Sequence, residues 1–187
     1  MPGTYPYTLP DDLPVPEDDG ACDHLPGGEL PALSLTATAG GSVDLADAGA
    51  ERTAVLFIYP RTGRPGEPLP PGWDLIPGAR GCTPQSCAFR DLHGEFTDKG
   101  VEVLGLSAQS PEDQAEFAER VHLPFPVLSD PELRLAEALG LPTFEVAGMK
   151  LYKRVTLVIR DRRIARAFYP VFPPDRNAGE VLAWLAG

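Results

Sequence analysis

Gly81-Cys82-Thr83-Pro84-Gln85-Ser86-Cys87-Ala88-Phe89-Arg90-Asp91 is the stretch on which the reading of this chain turns. It follows a loop dense in Gly and Pro and opens a helical pattern. Phe89, Leu92 and Phe96, at i, i+3 and i+7, give that helix one apolar stripe. Two of the chain's three cysteines lie here, five positions apart. A thiol at a helix start meets unsatisfied backbone N–H groups and the positive end of the helix dipole, and both favour thiolate over thiol. An ordinary Cys, with a pKa of about 8.5, is only a few per cent ionised at pH 7, so placement decides whether a thiol is a nucleophile. The pattern points to redox chemistry at Cys82.

Working outward, Ala54-Val55-Leu56-Phe57-Ile58-Tyr59 is a continuous apolar run ended by Pro60, as expected for a buried central strand. Residues 61–81 form a long connection, and loops of that length inside a compact domain are usually functional or inserted. Val101 to Leu106 reads as the next strand. Ser110-Pro111-Glu112-Asp113 starts a helix, with Ser as cap, Pro in the first turn and acids near the dipole's positive end. Phe125 to Leu128 is a short strand. Asp130-Pro131-Glu132 repeats the start signal for a helix running to Leu139 and stopped by Gly140. Val155 to Ile159 and Ile164 to Phe168 read as a hairpin joined across Asp161-Arg162-Arg163, and a helix from Ala178 to Leu185 closes the chain. Strands alternating with helices, then a hairpin and a helix, predict an α/β fold over residues 30–187: a thioredoxin-like three-layer α/β/α sandwich with a mixed central sheet. Residues 1–29, rich in Pro, Gly and Asp without an apolar period, predict an irregular arm.

A chain of 187 residues suffices for one domain with a sizeable core. Its net charge of −11 argues against nucleic acid or an anionic membrane surface as the main partner. No apolar run approaches the ~20 residues of a membrane span. The first twenty residues lack the basic start and apolar centre of a secretory signal, so the expected compartment is the reducing cytoplasm. Three cysteines there read as reactive or incidental thiols rather than as a permanent disulfide framework.

Cys82 and Cys87 cannot bond while both lie in one regular helix. Five residues turn the side chains about 140° apart and separate them by about 7.5 Å along the axis. A disulfide needs Cα atoms roughly 4.4–6.8 Å apart with converging Cβ vectors. Either the pair never bonds or the first turn unwinds. Pro84, which lacks an N–H, fits the first turn and weakens any helix that would extend earlier. Taken alone, a cysteine pair is more often core packing than chemistry, and the alternatives are a thiol–disulfide oxidoreductase or a non-catalytic binding module on the same fold. The usual Cys-x-x-Cys of such oxidoreductases is absent, and so is any spacing typical of zinc. Cys22 reads as an incidental thiol, His93 and His122 as surface or packing residues, and Trp73 and Trp184 as packing.

The segment Gly81 to Asp91 resembles the active site of Q-type peroxiredoxins, the bacterioferritin comigratory protein group. Leu128-Ser129-Asp130-Pro131, Leu135-Ala136, Leu139-Gly140, Lys153 to Ile159 and Val181 to Leu185 resemble further motifs of that family in the same order. The resemblance implies that Cys82 attacks a hydroperoxide, Cys87 resolves the product as a disulfide, and a thioredoxin-like dithiol recycles it. It implies that Arg154 stabilises thiolate and peroxide, with Gln85 orienting it. It calls for neither cofactor nor metal, and the expected assembly is a monomer or weak dimer. The family's Pro seven residues before the reactive Cys and Thr three before it are Leu75 and Ala79 here. Pro60-Arg61-Thr62-Gly63 resembles that motif but lies too early, implying an insertion around Arg64 to Ile76. Thr62 folding back to supply the hydroxyl is one expectation; the backbone N–H groups of Arg80 and Gly81 are the other. Arg80 is also expected to bring a positive charge beside Cys82.

Overall fold

The computed structural model describes residues 8–187, and the first seven residues of the arm lie outside the described residues. In chain order the strands and helices are β1 (Ser34–Ala37), β2 (Ser42–Asp44), β3 (Ala54–Ile58), α1 (Cys82–Asp91), α2 (His93–Asp98), β4 (Glu102–Ser107), α3 (Pro111–Arg120), β5 (Val127–Ser129), α4 (Arg134–Leu139), β6 (Thr143–Val146), β7 (Met149–Tyr152), β8 (Val155–Arg160), β9 (Arg163–Phe168) and α5 (Asn177–Ala186). Seven strands form one sheet in the order β2-β1-β5-β4-β3-β8-β9, with β3, β4 and β5 parallel and the other pairs antiparallel. The sheet is mixed, and β6 pairs with β7 in a separate hairpin.

Alternation along the strands builds the layers, because successive side chains point to opposite faces. Leu56, Ile58, Leu104, Leu106, Leu157 and Ile159 meet Leu135 of α4, Tyr152 and the arm on one face. Val55, Phe57, Val103, Val127 and Val158 meet Phe89, Phe96, Ala178 and Val181 of α1, α2 and α5 on the other. Every residue of β3 is fully buried, as its unbroken apolar run requires of a central strand.

Several boundaries differ from the sequence expectation. The helix after Cys82 breaks at Leu92 (φ −95°, ψ 3°) into α1 and α2, but Phe89 and Phe96 still share one cluster. The α4 helix starts at Arg134 rather than at Asp130, because Leu133 adopts a left-handed φ of 55°. Asp130 nevertheless caps it from a distance, accepting the N–H groups of Arg134 and Leu135 at 3.0 and 2.9 Å and the Tyr152 hydroxyl at 2.6 Å. The β8–β9 turn is Asp161-Arg162 alone, both at positive φ, the geometry that matches strand twist.

Described residues 8–29 contain no helix, and they dock rather than trail. Cys22 and Leu25 are buried in the core, the Gly27 N–H donates to the Ile164 carbonyl at 2.7 Å, and Asp19 pairs with Lys153 at 3.7 Å.

Candidate active site

The end of β3 passes Tyr59 and Pro60 into the long loop. Trp73 of that loop is buried with Ala79, Val146 and Leu151, its ring 6.0 Å from that of Phe144. This small separate core ties residues 73–79 to the β6–β7 hairpin and fixes the approach to Cys82. Gly81 then turns the chain into α1 with φ 109°. A Cβ there would lie 2.6 Å from Pro174 Cγ and 3.0 Å from Leu9 Cδ2, so both the backbone angle and the space demand glycine.

Cys82 is the first residue of α1 and 3% exposed. Its thiol lies 3.7 Å from the Ala79 carbonyl, and Arg154 Nη2 donates to its Sγ at 3.3 Å. Arg154, just before β8, is itself 3% exposed. Its Nη2 also contacts the carbonyls of Gly78, Ala79 and Arg80 at 3.2–3.3 Å. Arg80 precedes the N-cap Gly81, and the first bond of the helix runs from the Gln85 N–H to the Gly81 carbonyl, so Arg80 O takes no part in the helix ladder. Arg154 Nη1 donates to Gln85 Oε1. The Gln85 amide is turned that way because its Nε2 donates to Asn177 Oδ1 at 3.0 Å, an oxygen that also accepts the Thr156 hydroxyl at 2.7 Å. Among the described residues no carboxylate lies within 4.0 Å of the Arg154 guanidinium.

Cys87 lies in the same helix but not on the same face. Cys82 packs into the cluster of Val55, Phe57 and Tyr59, whereas Cys87 packs against Phe117 and Val121 of and beside α3. Both thiols are free. Burial pushes the Cys87 thiol pKa upward, with the nearby Arg90 charge opposing. The first turn separating the two cysteines is weakly made: Gly81 offers no side-chain cap, and no acidic residue occupies the turn. Cys22 packs in a different core cluster from either, and burial, followed by the charges of Asp19, Asp18 and Asp23, pushes its pKa up to about 12.

A recess of about 220 Å³ opens beside Cys82, and Thr62, Arg80, Trp73 and Leu9 are among its walls. Thr62 therefore lines the same recess as Cys82, from the start of the long loop. Its hydroxyl lies 3.2 Å from Gln109 Oε1. Arg80 departs from expectation: its side chain turns to Asp74, at 2.9 and 3.1 Å, which neutralises the charge it was expected to bring to Cys82. Sequence reasoning missed Asn177, Tyr59, Ser107, Gln109 and Gln114 as parts of the site. The only local hint was polar residues at positions that fold into the interior.

A thiol at a helix start, carried on a thioredoxin-like sheet with a buried guanidinium on its sulfur, defines a thiol-based redox protein by class. The Redoxin family profile matches residues 25–182. Two Mycobacterium tuberculosis proteins named as peroxiredoxins are 38% identical over 115 residues, a match spanning 62% of this chain and 63% of the length of each of those relatives. Peroxiredoxin bcp1 of Schizosaccharomyces pombe is 31% identical over 150 residues, covering 79% of this chain and 68% of that protein. The crystal structure of peroxidoxin BcpB from Mycobacterium tuberculosis superposes with a TM-score of 0.70 at 29% identity, over 87% of this chain and 97% of that one. The chain belongs to the redoxin family, in its peroxiredoxin Q/bcp group.

Proposed function

We propose that this chain is a thiol-dependent peroxidase that reduces hydrogen peroxide and organic hydroperoxides through Cys82 and Cys87. The observation that carries the reading is the 3.3 Å contact of buried Arg154 with Cys82 Sγ, at the edge of a recess that Thr62 also lines. The Cys82 thiolate attacks the peroxide: an S–O bond forms, the O–O bond breaks, and water or an alcohol leaves after taking up a proton. Arg154 stabilises the negative charge on sulfur and on the peroxide oxygens, a preorganised role that needs no reorientation during the reaction. The Thr62 hydroxyl donates to a peroxide oxygen in place of the hydroxyl that Ala79 lacks.

The sulfenic acid formed on Cys82 then condenses with the Cys87 thiol, releasing water and forming the disulfide. Opening of the first turn of α1 precedes this step, since the helix holds the two sulfurs on different faces. A dithiol reductant of thioredoxin type exchanges with the disulfide, restoring both thiols and leaving as its own disulfide. The protein works in the cytoplasm as a monomer or weak dimer, without a nucleic-acid or membrane partner.

Hydroperoxide consumption driven by a thioredoxin system tests this reading. Wild type is expected to turn over, and Cys82→Ser is expected to fall to the uncatalysed rate. A wild type that consumes no peroxide, or a Cys82→Ser variant that keeps doing so, overturns it.

A further inference from the structure

Tyr59, Ser107, Gln109 and Gln114 form a hydrogen-bonded chain beside the reactive thiol that ends on Thr62, and Tyr59, Ser107 and Gln114 are fully buried. Counting donors and acceptors fixes its direction. Gln114 Nε2 spends both hydrogens, on Ser107 Oγ and the Leu128 carbonyl, each at 2.9 Å. Gln114 Oε1 is therefore the acceptor, and the Tyr59 hydroxyl donates to it at 2.7 Å. Ser107 Oγ also accepts the Gln109 N–H at 3.2 Å, so its own hydrogen goes to Gln109 Oε1 at 3.1 Å. That oxygen accepts the Thr62 N–H at 3.0 Å as well, while Gln109 Nε2 donates to the Thr62 carbonyl at 3.3 Å. A carbonyl oxygen has two lone pairs, and both are now filled. The Thr62 hydroxyl, at 3.2 Å, competes for an acceptor already occupied.

We infer that Gln109 is a positioning residue for peroxide reduction: it clamps the Thr62 backbone through both N–H and C=O and leaves the Thr62 hydroxyl proton for a peroxide oxygen in the Cys82 recess. The same count commits the Tyr59 proton to Gln114. Tyr59 is therefore not a peroxide donor, although its phenol, driven upward in pKa first by burial, is close enough to feel the charge of Cys82. The inference rests on the peroxidase reading above, in which Thr62 touches substrate.

The test uses the full reduced chain and two rates at Cys82, oxidation by hydrogen peroxide and alkylation by iodoacetamide. Gln109→Leu and Thr62→Val are each expected to slow oxidation about tenfold, short of the roughly hundredfold or more that a full preorganised oxyanion donor is worth, with alkylation unchanged. The double variant is expected to be no slower than either single one. Gln109→Glu replaces the donor to the Thr62 carbonyl by an acceptor and offers the Thr62 hydroxyl empty lone pairs, so it is expected to slow oxidation as Gln109→Leu does and provides the test should that variant fail to fold. Tyr59→Phe retains the wild-type rate. Wild-type oxidation in Gln109→Leu, multiplying effects in the double variant, or a parallel loss of alkylation overturns the inference. A wild type whose Cys82 alkylates but does not react with peroxide takes down the peroxidase reading itself.

Discussion

Replacing Arg154 by Leu is expected to slow the oxidation of Cys82 by hydrogen peroxide by at least about a hundredfold, the scale on which removal of one preorganised donor to developing charge is felt. The guanidinium is buried, touches Sγ at 3.3 Å, and is held by three backbone carbonyls and Gln85. Its orientation is therefore set before the peroxide arrives. Arg154→Lys recovers little of the rate, because an ammonium on a flexible stem cannot span Gln85 and the sulfur together as a planar fork does. Arg154→Leu is also expected to lower the melting temperature, since it leaves Gln85 Oε1 and the carbonyls of Gly78, Ala79 and Arg80 without the donor they share. Rapid-mixing fluorescence with a thermal melt of the same sample separates the two effects. Oxidation within threefold of wild type would remove Arg154 from the mechanism.

The second large effect belongs to Cys87. Cys87→Ser is expected to react once with peroxide at the wild-type rate and then stall, losing at least about 99% of steady-state turnover because the sulfenic acid has no internal thiol to condense with. Mass spectrometry of the stalled protein finds one added oxygen on Cys82, and two after excess peroxide. The folded state explains why the first step is untouched: Cys87 sits in a different cluster, against Phe117 and Val121, and contributes nothing to the recess. It also explains why the second step needs motion. A buried thiol with an upward-shifted pKa, on another face of the same helix, is protected from Cys82 until the first turn opens. In the proposed cycle the first turn of α1, which has no side-chain cap and no acidic residue, is the part expected to open. Sustained turnover in Cys87→Ser would show that an external thiol resolves the sulfenic acid instead.

What the sequence made legible follows from the range of the interactions involved. Cys82 and its helix start lie within a few residues of each other, and helix-start physics depends only on such neighbours. β3 and the β8–β9 hairpin were readable for the same reason: burial on both faces makes a strand continuously apolar, and hairpins pair adjacent segments. Arg154 was found by resemblance, since nothing in its own neighbourhood says that it crosses to a sulfur 72 positions away. Gln109 and Gln114 looked like ordinary polar residues just before and after the helix cap Ser110, and their partners Thr62 and Tyr59 lie 47 and 55 positions upstream. The β6–β7 hairpin escaped notice although Thr143-Phe144-Glu145-Val146 alternates polar and apolar, because each of its strands has only 4 residues. The early start assigned to α4 failed on a single left-handed residue, Leu133, which no helix propensity forbids. Asp130 was rightly read as a capping residue, but it acts four and five positions ahead.

Site-resolved mass spectrometry on fully reduced protein, quenched milliseconds after mixing with one equivalent of hydrogen peroxide, tests the central assignment most directly. Oxygen is expected first on Cys82, followed by a Cys82–Cys87 disulfide that forms as the sulfenic acid disappears, with Cys22 reduced throughout. Oxidation that begins at Cys22 or Cys87, or a Cys82 still unmodified when the peroxide is gone, would contradict it.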